Sequence, residues 1–127
     1  MRLDTPRPLS TTERSVLDAL LAESFPGVQE LRMQVEHATV VARCDCGCPT
    51  VDLTVPPEIP PSPVRTPNRL APVEGRVRPL AEEPVADIIL FVDDGQLRRL
   101  ELVSYDDPAP SEWPSLDRVT VERTARP

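Results

Sequence analysis

The chain has no lysine, one histidine and few aromatic residues, and these scarcities limit the functions open to it. With His37 as the single histidine, neither a Ser-His-Asp set nor a Cys-His pair can be built convincingly, which indicates a non-catalytic protein. The four glycines are isolated from one another, so there is no glycine-rich loop for a phosphate group. Aromatic residues make up 3% of the 127 positions and there are 17 prolines, a combination that indicates a small ordered core with irregular arms.

The charge distribution disfavours nucleic acids and anionic membranes as partners. The formal net charge is −7, and all 14 basic residues are arginines scattered along the chain. No stretch approaches the about 20 apolar residues of a membrane span, and residues 1–14 contain no apolar run of the kind found in signal peptides. We therefore expect a cytoplasmic protein, without nucleic-acid or membrane binding, whose favoured partner is a basic protein.

Local patterns predict an α+β fold, with two N-terminal helices packed on one antiparallel sheet of about five strands. The stretch Ser10-Thr11-Thr12-Glu13 reads as a capping box before a helical apolar stripe, and Pro26-Gly27 separates it from a second, shorter helix. Strands are predicted at residues 38–42, 50–55, 73–80, 85–92 and 97–105. A three-residue loop at Asp93-Asp94-Gly95 would pair Ile88 with Leu100 in the last hairpin.

The proline distribution sets the expected domain limits. Residues 1–9 are predicted to be a flexible arm, residues 10–107 a single domain, and residues 108–127 a proline-rich tail. Within the domain, residues 56–72 contain seven of the prolines and form a predicted loop. Its PxxP spacing is compatible with docking to an aromatic groove, but a stiff connector is the more common role.

The pattern nearest to chemistry is the turn Cys44-Asp45-Cys46-Gly47-Cys48. A three-residue hairpin loop would make Cys44 oppose Cys48, with Gly47 in the left-handed conformation that glycine tolerates. Three thiols in a reducing compartment argue against a disulfide framework and leave open a structural turn with free thiols, a metal site, or a redox role. For zinc, the fourth ligand is missing, because seven strand residues at about 3.3 Å each place His37 roughly 23 Å from Cys44.

Two aromatic residues are candidates for partner binding. Trp113 and Tyr105 stand near the proline-rich tail, and tryptophan is enriched in binding hot spots. The alternative is that Trp113 pins the tail onto the sheet.

Three motifs follow one another along the chain: the cysteine turn, the stretch Ile89-Leu90-Phe91-Val92-Asp93-Asp94-Gly95, and the closing Trp113-Pro114. With these motifs in this order, the chain resembles a family of uncharacterised small proteins from high-GC bacteria. That resemblance implies a domain of unknown function and brings no activity with it. The leading functional interpretation is a non-catalytic binding or regulatory protein without a cofactor, such as an immunity-like inhibitor. The alternative is a structural zinc-binding or thiol module using Cys44, Cys46 and Cys48.

Overall fold

Two helices and one seven-stranded antiparallel sheet form an α+β fold in the computed structural model, which describes residues 1–78, 85–105 and 110–124. The helices are α1 (Thr11–Leu20) and α2 (Val28–Val35). The strands are β1 (Arg2–Pro8), β2 (Thr39–Arg43), β3 (Val51–Thr54), β4 (Leu70–Val77), β5 (Ala86–Asp93), β6 (Gln96–Ser104) and β7 (Val119–Arg123). Their order across the sheet is β1-β2-β3-β6-β5-β4-β7. None of the helices among the described residues is long and apolar enough to span a membrane.

The predicted capping box starts α1. The Ser10 hydroxyl accepts the Glu13 N–H at 3.1 Å, and the Glu13 carboxylate accepts the Ser10 N–H at 2.8 Å. Both partners satisfy amides that have no carbonyl within the helix, which stabilises its first turn. Gly27, at φ 91°, ends the connection to α2, and an added β-carbon there would lie 2.5 Å from the Ser62 hydroxyl.

One hydrophobic core joins both helices to the strands. Burial alternates residue by residue along β4 and β5, so each of these strands has one buried side and one half-exposed side. The buried strand residues and the buried helix residues belong to the same cluster. Its largest fully buried side chains include Leu17, Leu20, Leu31, Ile88, Leu90, Leu97 and Leu100.

The sheet has two more strands than the sequence predicts, and both are at its edges. Residues 1–9, predicted to be a flexible arm, contain β1, and the predicted tail contains β7. Proline is tolerated on an edge strand, whose outer N–H groups have no ladder partner, so Pro6 and Pro8 did not prevent pairing with β2. The predicted domain boundary at residue 107 lies outside the described residues.

The β5–β6 hairpin has a different register from the predicted one. Its loop is the two residues Asp94 and Gly95, both at positive φ, and Ile88 pairs with Leu102 instead of Leu100. A bulge between Phe91 and Val92 shifts the pairing by one residue, so the apolar side chains still face each other.

A buried amide, Gln34 on α2, holds three separate segments together. Its side-chain nitrogen donates to the backbone oxygens of Pro60 at 3.2 Å and Gly95 at 2.8 Å, and its oxygen accepts the Leu97 N–H at 3.0 Å. Ser62, also buried, donates its hydroxyl to the Gly27 oxygen at 2.6 Å. The proline-rich loop is therefore fixed to α2 and to the β5–β6 turn.

We predict that Gln34→Ala lowers the free energy of unfolding by about 2–4 kcal/mol, because the buried Leu97 N–H loses its acceptor and two backbone oxygens lose a donor. Chemical denaturation followed by circular dichroism measures the loss. Gln29→Ala, an exposed glutamine on the same helix, is the matched control and should change stability by less than about 0.5 kcal/mol. Equal losses in the two variants would contradict a structural role for the amide.

Candidate metal centre

The cysteine turn closes differently from the predicted three-residue hairpin. The Cys44 N–H donates to the Thr50 oxygen at 3.2 Å, so Cys44 opposes Thr50 and the prediction that it opposes Cys48 is wrong. Pro49 has no N–H to contribute to a ladder, which lengthens the loop to residues 45–49. The β2–β3 ladder has a bulge between Val40 and Ala42, and both of these residues are buried. Gly47 has φ 89°, in the left-handed region.

This longer loop brings the three sulfur atoms together. The Sγ atoms of Cys44 and Cys46 are 2.7 Å apart, and all three Sγ atoms lie within 4.8 Å of one another. Backbone amides support the cluster: the Cys46 N–H donates to Cys44 Sγ at 3.4 Å, and the Cys48 N–H donates to Cys46 Sγ at 3.3 Å. Tetrahedral zinc with bonds of about 2.3 Å requires sulfurs about 3.8 Å apart, so small side-chain adjustments suffice to hold an ion.

The thiols differ in how readily they ionise. Burial disfavours the Cys48 thiolate, but hydrogen bonds from Cys46 and from the hydroxyl and amide of Thr50 outweigh it and lower the pKa of Cys48 to about 7. Hydrogen bonds with Cys44 and Cys48 raise the pKa of Cys46 to about 11. Since metals bind the thiolate, Cys48 is prepared for coordination near neutral pH.

Thr50 connects the cluster to the sheet. Its side chain is buried, and its Oγ1 accepts the Leu102 N–H from β6 at 3.0 Å. Because one lone pair of Oγ1 accepts the Leu102 N–H, the hydroxyl proton points away from β6, and it is donated to Cys48. A sequence-based search for site residues misses Thr50, because its role depends on a contact with a strand 52 positions away.

A cavity of about 410 Å³ lies beside the cluster. Cys44, Cys48 and Thr50 form part of its wall, and the half-buried Trp113 forms another part. The buried carboxylate of Glu13 also lines it, paired with the Arg7 guanidinium at 2.9 and 2.8 Å. Burial opposes ionisation of Glu13, but the hydrogen bonds from Arg7 and Ser10 prevail and lower its pKa. A charged pair therefore stands in the cavity wall with its charge balanced.

The other residues predicted for a site are distributed around the fold. His37 is exposed at the start of the chain leading into β2, and it is not among the ligand atoms that converge with the sulfurs. Trp113 packs against the core and lines this cavity and a second one of about 560 Å³. Tyr105 is 59% exposed, and its hydroxyl donates to Asp87. Trp113 and not Tyr105 lies beside the cysteines.

Comparison with models of known protein families, with curated proteins and with solved structures gives no match for this chain.

In metal-free protein, we predict that Cys48 is alkylated first and that its rate rises with pH around an apparent pKa of about 7. Thr50→Val should move this midpoint upward, because the hydroxyl that stabilises the thiolate is lost, while Thr50→Ser keeps the hydroxyl and the midpoint. Iodoacetamide labelling with peptide mass spectrometry measures the profile for each cysteine. Identical profiles in the valine and serine variants would contradict the role of the hydroxyl.

Proposed function

We propose that this chain is a metal-binding protein whose three cysteines hold a thiophilic divalent ion, with zinc as the first candidate. The observation that carries the proposal is the convergence of three thiols on one short loop, with all sulfurs within 4.8 Å. Thiolates at this spacing suit zinc, which has no geometric preference beyond four ligands arranged tetrahedrally.

The weak packing of the loop and the hydrogen bonds to one of its thiols support a metal-binding role. Gly47 has no atom within 4 Å of where a β-carbon would stand, and Cys46 is exposed, so packing contributes little to holding the turn. An ion bound by three side chains of this turn supplies the cross-link that packing does not. The amide and hydroxyl of Thr50 orient one ligand, which is the part that outer hydrogen bonds play in metal sites.

Zinc analysis of the purified protein tests the proposal. We expect one zinc per chain, and no bound zinc after Cys44, Cys46 and Cys48 are all changed to serine. Zinc at one hundred times its dissociation constant should stabilise the native protein by about 2.7 kcal/mol and leave the triple variant unchanged.

The matched control is the metal-free native protein, in which all three thiols should react with a thiol reagent. Substoichiometric metal together with equal thermal stability of the native and triple-serine proteins would overturn the proposal.

A second candidate is a non-catalytic cytoplasmic binding or regulatory protein, of the immunity-like kind, with a basic protein as partner. The exposed Val103 on β6 and the exposed Tyr105, which follows directly after that strand, favour it, because charged residues such as Arg99 and Glu101 are on the same strand. If both helices cover one face of the sheet, as the sequence predicts, the other face is free for such a partner. A place in the small-protein family of high-GC bacteria would fit either candidate.

For this second candidate, we predict direct binding to the basic product of a neighbouring gene. Isothermal titration calorimetry should give an affinity that weakens as salt rises, because the net charge of −7 attracts such a partner. Tyr105→Ala should weaken binding at least tenfold, whereas Met33→Ala, an exposed change on α2, should not. Binding that is unaffected by Tyr105→Ala would exclude the surface around Tyr105 as the binding site.

A further inference from the structure

The three cysteines leave a zinc ion one ligand short. Zinc takes four ligands in structural sites, and a site with three protein ligands keeps a position for water or an external donor. No histidine, aspartate or glutamate in residues 1–78, 85–105 or 110–124 joins the three sulfurs. The fourth donor must therefore come from beyond this set of side chains.

The cavity beside the cluster gives an external donor a place. Two of the three ligands, Cys44 and Cys48, form part of its wall, while Cys46 is at the exposed tip of the turn. Its volume of about 410 Å³ falls within the range of small-molecule sites, roughly 300–1,000 Å³. A donor in this cavity can approach the metal from the protein side while Cys46 completes the shell from the solvent side.

The charges around the cavity favour a neutral donor. Three thiolates and a zinc ion sum to −1, and Glu112 adds a further negative charge to the wall. The Glu13 and Arg7 charges cancel each other, and Arg43 supplies one positive charge. An anionic fourth ligand would make the metal shell more negative, from −1 to −2, in a chain that already carries −7.

An imidazole group satisfies these conditions. It is a neutral zinc ligand, its ring can pack on the indole of Trp113, and the N–H of the ring nitrogen that does not bind the metal can donate to the Glu112 carboxylate, as ligating imidazoles do to carboxylates elsewhere. Resting on the metal site proposed above, we propose that the zinc centre is open and that the cavity admits an imidazole donor as its fourth ligand. The donor is a free imidazole compound or a histidine of a partner polypeptide.

Cobalt substitution tests the open position. Cobalt(II) replaces zinc in thiolate sites, and its visible spectrum reports the number and type of ligands. Titration of the tag-free cobalt protein with imidazole should change the visible bands along a saturable curve, with a parallel change in the fluorescence of the single tryptophan. Imidazole-4-acetate, which carries a negative charge, should bind at least fivefold more weakly than imidazole.

A comparison of one peptide with free imidazole distinguishes the sources of the donor. Stronger binding of a Gly-His-Gly peptide than of free imidazole supports a partner polypeptide, and the reverse order supports a small molecule. Either order supports the imidazole class, while a spectrum insensitive to both ligands overturns it.

Variants locate the ligand in the cavity. Trp113→Ala should weaken imidazole binding about tenfold, whereas Trp113→Phe, which keeps an aromatic ring and preserves packing, should weaken it less than threefold. Glu112→Gln should also weaken it, and Leu116→Ala, an exposed residue outside the cavity wall, should have no effect. Equal affinities in all four variants would overturn the cavity as the binding place. Failure to bind cobalt or zinc at all would instead overturn the metal site itself, so the two failures are distinguishable.

Discussion

The side-chain amide of Gln34 is the contact on which the arrangement of the other segments depends. It is fully buried on α2 and bonds to the β5–β6 turn and to the proline-rich loop. Without the amide, the buried Leu97 N–H would lose this acceptor and the Pro60 oxygen this donor, while the Gly95 oxygen would keep the Ser62 N–H. Gly95 is required at the same point, since an added β-carbon would lie 2.5 Å from the Ser62 oxygen.

Further along β6, hydrogen bonds also connect this strand to the cysteine loop. Leu102 on β6 donates its N–H to the Thr50 hydroxyl, and Thr50 in turn bonds to Cys48. A chain of hydrogen bonds thus leads from the middle of the sheet to one thiol. The loop that holds the sulfurs has little packing of its own, and its order comes from this connection and from the ligand it is proposed to bind.

The elements of this fold that could be predicted from the sequence are those whose formation depends on residues close together in the chain. The capping box at Ser10, the break at Gly27 and the strand around Ile88 each depend on neighbouring residues, and all three are present, although β6 and not this strand is in the middle of the sheet. The bulges and the edge strands were missed, because a bulge is decided by the partner strand, and β1 and β7 contain no fully buried residue that would give a strong alternating pattern. The cysteines were identified as candidates for the same local reason, but their convergence follows from a five-residue loop that the sequence alone did not reveal.

The β3–β6 junction is the narrowest place in the sheet. Only Val51 with Leu100 and Asp52 with Arg99 are paired there among the described residues, so a three-stranded ribbon and a four-stranded ribbon share a short seam. The bond from Leu102 to Thr50 extends this seam by a side chain where the backbone ladder has ended. A ligand that fixes Thr50 at the cysteine loop therefore also stabilises the pairing of β3 with β6. By thermodynamic reciprocity, a change that stabilises this pairing raises the affinity of the cysteine loop for the ligand.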